Sequence, residues 1–95
     1  MNLFNLFLKK NLEEKTRNNI RKAVDLVVKN ALREINNEPF FSDLMIKTAI
    51  ISYFNNIKSM CPVKIVDKST KQELWVTEEF LEQEKDIAMK KYLNR

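Results

Sequence analysis

Apolar residues at Ile20, Val24, Val27, Val28, Ala31 and Ile35 recur at three- and four-residue intervals, the spacing of a helix with one buried stripe. Upstream, Leu3, Phe4, Phe7 and Leu8 continue a helical spacing. Asn11 with Glu14 three residues later forms a capping-box pattern, so a helix starts there or runs through from residue 2. Residues 1–10 are therefore read as an apolar arm or helix extension, ahead of one domain over 11–95. Asn36, Asn37 and Pro39 end the helix, since Pro39 disfavours helical geometry at Glu38 and has no amide to donate.

A second helix is expected to open at Ser42, with Asp43 in its first turn and Phe41 stapled onto Ile46. Ile46, Ala49, Ile50, Tyr53, Phe54, Ile57 and Met60 make its main stripe, and Pro62 stops it. Leu44 and Ile51 fall off that stripe. The helix is thus covered on two faces or exposes an apolar patch. Val63 to Val66 and Leu74 to Val76 are β-prone runs around the polar stretch 67–73, which predicts a hairpin. Thr77 caps a third helix over about 78 to 93. Glu78 and Glu79 favour the positive end of its dipole, and Lys90, Lys91 and Arg95 the negative end. Its apolar residues Phe80, Leu81, Ile87, Ala88 and Tyr92 are interrupted by Glu84 and Lys91. The pattern gives a small single α+β domain, mainly α, ordered helix, helix, β-hairpin, helix, with the second helix central.

Composition narrows the chemistry. The 95 residues contain no His and no Gly and only one Cys, at position 61. Without His there is no His-dependent catalytic triad or metal site. Without Gly there is no phosphate-cradling glycine loop, and turns must draw on the eleven Asn together with Asp and Ser. A lone Cys61 forms no disulfide framework within the chain, suits a reducing compartment, and is read as a small buried hydrophobe. No cofactor or metal is expected, and no enzymatic activity. Five apolar residues between Leu3 and Leu8 have no basic residue before them, and the run is far below the ~20 residues of a membrane helix. Neither a secretory signal nor a membrane span is expected.

Charge is uneven. Residues 1–62 hold ten basic and six acidic side chains, whereas 63–95 hold seven of each, so the net charge of +4 lies in the N-terminal part. Lys15, Lys22, Lys29 and Arg33 fall on the side of the first helix opposite its stripe, when each residue is turned by about 100°. Such a ridge suits a solvated face, an acidic protein surface or nucleic-acid phosphates. Leu26 lies beside it. The polar side of the second helix, Thr48, Ser52, Asn55, Asn56 and Ser59, and the hairpin residues Lys64, Lys68 and Lys71 are possible second contacts for a nucleic acid. Glu78, Glu79, Glu82, Glu84 and Asp86 crowd the third helix and are expected in solvent. Only Glu84 falls on its apolar side, where burial would raise its pKa or require a partner. Trp75 and Tyr53 are aromatic groups of the kind favoured at interface centres, and Trp75 alternates away from Leu74 and Val76.

These features point to a small cytoplasmic interaction protein of regulatory, adaptor or inhibitor type. Leu3, Phe4, Phe7, Leu26, Leu44, Ile51 and Trp75 are its candidate partner-binding residues. The alternative is a nucleic-acid-binding protein using Lys15, Lys22, Lys29 and Arg33. A short chain with a thin core and an apolar arm is also expected to form a homodimer.

Overall fold

A computed structural model of the chain describes residues 3–93, as α1 (Leu3–Glu34), α2 (Pro39–Lys58), β1 (Val63–Val66), β2 (Glu73–Val76) and α3 (Glu78–Leu93). This is the predicted order in a single, mainly α domain. Asn2 and Arg95, assigned above to the first helix start and the third helix end, lie outside the described residues.

The capping pattern at Asn11 does not break the first helix: α1 is 32 residues without interruption, about 48 Å at 1.5 Å per residue. Its side chains at i+4 spacing, Leu12, Thr16, Val24 and Val28, are buried. The Thr16 hydroxyl, which breaks this apolar row, donates to the Leu12 carbonyl at 2.8 Å. At the far end Asn36 and Asn37 take φ of 52° and 57°, the left-handed geometry in which glycine usually ends a helix and Asn is the tolerated substitute. The Asn37 amide reaches back to the Leu32 carbonyl at 2.8 Å.

The second helix begins earlier than Ser42. Glu38 is the extended cap residue and its carboxylate accepts from the Phe40 amide, with Pro39 in the first helical turn, where its missing donor costs nothing and its fixed φ suits a helix. Ser42 instead donates to the Glu38 carbonyl at 2.8 Å. Phe41 lies inside the helix, 48% exposed, and meets Phe40 edge to face rather than serving as a staple outside the helix. Met60, assigned to the buried stripe, is exposed because the helix has already ended at Lys58.

Ile46, Ile50 and Phe54 of α2 are almost completely buried, and α2 packs between α1 and α3. This is the core. The antiparallel hairpin pairs Val63 with Val76 and Ile65 with Leu74. Leu74 and Val76 close the core while Trp75 faces outward. Asp67 accepts from the Ser69 amide and hydroxyl, and Lys71 takes φ 60° to complete the glycine-free turn. Thr77 caps α3 as expected, its hydroxyl oxygen accepting from the Phe80 amide at 3.1 Å. The described residues span 53 × 24 × 21 Å with a radius of gyration of 15.7 Å, against about 12–13 Å for a compact chain of this length. The excess comes from α1, whose first turns extend beyond the rest of the domain.

Candidate interaction groove and the charged clamp beside it

The strongest polar constellation joins α1 to α3. Glu84 is buried, contrary to its expected place in solvent, and its two oxygens accept from Arg17 Nη1 at 2.7 Å and from Arg21 Nε and Nη2 at 2.9 and 3.1 Å. Arg17 also binds Glu13 and Gln83 and lies 4.1 Å from the centre of the Phe80 ring. About two turns further along the same side of α3, Tyr92 reaches Asp25 of α1, its hydroxyl donating at 2.8 Å. Burial pushes the Glu84 carboxyl up, but hydrogen bonds from Arg21 and Arg17, together with their charges, outweigh it and hold its pKa below the ordinary range. Burial and the Asp25 contact push the Tyr92 phenol to about 12. A carboxylate held ionised with every oxygen committed to guanidinium donors is poorly placed to take or give a proton, so this cluster acts as a clamp.

Next to it, on the other side of α1, lies a groove of about 700 Å³. Leu12, Thr16 and Ile20 of α1 form one wall, Tyr53 and Ile57 of α2 with Met60 form the second, and Val63, Ile65 and Val66 of β1 form the third. Val76 and Leu81 lie at its base, and Lys15, Asn19, Asp67, Lys68 and Ser69 form a polar rim. Burial pushes the Tyr53 phenol up, as expected for a ring set into this wall. The groove exists because α2 stops at Lys58 while α1 continues past it, and the short hairpin closes only part of the exposed flank.

None of the expected partner-binding residues lines the groove. Leu3, Phe4 and Phe7 are 80%, 62% and 60% exposed on the protruding turns of α1, with Leu6 beside them at 46%. Leu26, Leu44 and Trp75 are exposed on three different elements and Ile51 is half-buried. Lys15, Lys22, Lys29 and Arg33 all stand exposed along α1. Lys29 is paired with Asp25 at 2.9 Å, and Lys64 on the hairpin with Glu73 at 3.0 Å, which reduces the charge free for phosphates. Cys61 is half-buried, its thiol pushed up by burial and by Glu78. No group of His, Cys, Asp or Glu able to hold a metal occurs among the described residues, and no described helix is long and apolar enough to cross a membrane.

Sequence reasoning missed the groove because Tyr53, Ile57 and Met60 belong to the same periodic stripe as the core. The readable signal was the length mismatch between a 32-residue helix and a 20-residue partner, together with Tyr53 as an interface-type aromatic. Comparison with family models, curated proteins and solved structures finds no match to this chain.

Proposed function

We propose that the protein is a non-enzymatic interaction module, of regulatory, adaptor or inhibitor type, that receives an apolar helical segment in the groove between α1, α2 and β1. The observation that carries this reading is the groove itself. An opening of about 700 Å³ walled by Leu12, Ile20, Tyr53, Ile57, Val63 and Ile65 is in the size range of ligand sites and mainly apolar. Apart from the Thr16 hydroxyl, which is turned to the Leu12 carbonyl, and the Tyr53 phenol, its polar groups lie at the rim. An amphipathic helix laid into such a groove anchors by side chains at i, i+3 or i+4 and i+7 and leaves its polar face over the rim.

Selection of a display library of helical peptides on the immobilised chain, at low surface density, tests the reading. Peptides enriched in apolar residues at those spacings, and lost when Met60 and Val66 are both changed to Glu, support it. Met60 and Val66 are 64% and 50% exposed, so these changes alter the groove lip and leave the core intact. No enrichment, or equal enrichment on both proteins, overturns it. The exposed row Lys15, Lys22, Lys29 and Arg33 favours nucleic acid as the competing reading. Submicromolar binding of a labelled DNA duplex that weakens steeply with salt would transfer the function to that face.

A further inference from the structure

We infer that the segment occupying the groove is the N-terminal arm of a second copy of the chain, so that two molecules exchange arms about a two-fold axis. This rests on the groove being a helix-binding site and names its occupant.

One chain carries both halves of the contact. Phe4, Leu8, Leu12, Thr16 and Ile20 form a single row at i+4 spacing along α1. Its first two members lie on the protruding arm and its last three form the groove wall. Such i±4 rows are the ridges by which two helices pack. The row therefore passes from ligand-like surface into receptor-like surface along one rigid helix, as an isologous interface requires.

The register follows from helix geometry. Phe4 and Thr16 are twelve residues apart, about 18 Å along the axis at 1.5 Å per residue. A two-fold axis crossing α1 at the level of Lys10 runs the two helices antiparallel. It sets Phe4 of one copy at the level of Thr16 of the other, in the middle of the groove, and Leu8 opposite Leu12. Lys10 does not obstruct this approach, because it lines a polar crevice with Glu13, Glu14, Arg17, Asn18 and Arg21 that is separate from the groove.

The surface available is sufficient. At roughly 200 Å² for a side chain of this size, the exposures of Leu3, Phe4 and Phe7, which share one face of the arm, leave roughly 400 Å² of each arm in water. Covering three-quarters of that in both arms, against an equal area of the partner copy, buries roughly 1,200 Å², the lower end of the range for a specific interface. The polar rim and the charged residues flanking the arm would form the edge of the contact.

Light scattering on the full chain at about 100 µM, where mass action favours association, reads the stoichiometry. The expected mass is that of two chains, falling to one both in Phe4→Ser with Phe7→Ser (arm) and in Met60→Glu with Val66→Glu (groove). The register is read in a Cys61→Ala background by a short bismaleimide. Asn5→Cys combined with Lys15→Cys, which the axis brings opposite each other across the interface, is expected to give a covalent dimer. Within one chain these positions are about 15 Å apart on a single helix and cannot be bridged, and either Cys alone is expected to give none. A single-chain mass for the wild type overturns the inference. So does a two-chain mass unaffected by either pair of substitutions, or cross-linking by one Cys alone. A monomer that nevertheless selects groove-binding peptides removes the arm exchange and leaves the interaction groove standing.

Discussion

Glu84 offers the sharpest test of what fixes α3 to α1. Glu84→Gln preserves shape but removes the charge, and turns one of the two oxygens into a donor facing guanidinium donors. In the wild type three hydrogen bonds of 2.7 to 3.1 Å converge on this carboxylate. Bonds to charged groups are worth about 1.5–3 kcal/mol each before desolvation is counted, and breaking a buried ion pair costs about 3–5 kcal/mol. Two facts reduce that figure. The Arg17 and Arg21 side chains are 20% and 46% exposed, so water screens and rehydrates them. The neutral amide also escapes part of the penalty of burying charge. The expected loss is about 2 kcal/mol, a large share of the stability of a domain of this size.

Urea unfolding followed by circular dichroism at neutral pH measures it. With a slope near 1 kcal/mol/M the midpoint falls by about 2 M. The pH dependence supplies the control. The folded Glu84 carboxyl titrates below its ordinary value of 4.5, so as pH falls the unfolded chain takes up the proton first. The stabilisation is complete above the ordinary value and disappears as pH drops through the folded one. Wild type and Glu84→Gln therefore converge in strong acid. A neutral-pH difference under about 0.5 kcal/mol, or one that persists unchanged in strong acid, refutes the clamp.

Two further outcomes are expected. Lys71→Gly raises stability by about 0.5–1 kcal/mol in the same urea assay, because a non-glycine residue at φ 60° carries a steric cost of roughly 1–2 kcal/mol that glycine lacks, offset in part by the freer unfolded chain; a destabilised variant would contradict the strain. In an alkaline absorbance titration Tyr92 ionises near pH 12. Its hydrogen bond to Asp25 supports the fold below the ordinary phenol value of 10.0 and is lost as pH rises through the folded value. Tyr92→Phe should remove that late titration, and a wild type in which both tyrosines ionise near 10 would exclude the Asp25 contact.

Local patterning by itself specified the order of the elements, the Thr77 cap and the centrality of Ile46, Ile50 and Phe54, because hydrophobic period and capping chemistry act over a few residues; the stop expected at Pro62 comes earlier, at Lys58. It also flagged Glu84 as the acidic residue on the wrong side of α3. The partner was out of reach: Arg17 and Arg21 lie more than sixty positions away, and only the packing of α3 on α1 brings them together. The false start at Ser42 had the same origin: it is a good cap taken alone, yet the cap at Glu38 is reinforced by Pro39, and of the two courses open at Asn11 the helix takes the one that runs through. The groove was decided entirely by tertiary structure. Tyr53 and Ile57 repeat with the period of the core, and they face an open cleft only because α2 ends alongside the middle of a longer α1 and a four-residue strand is too short to cover the remainder.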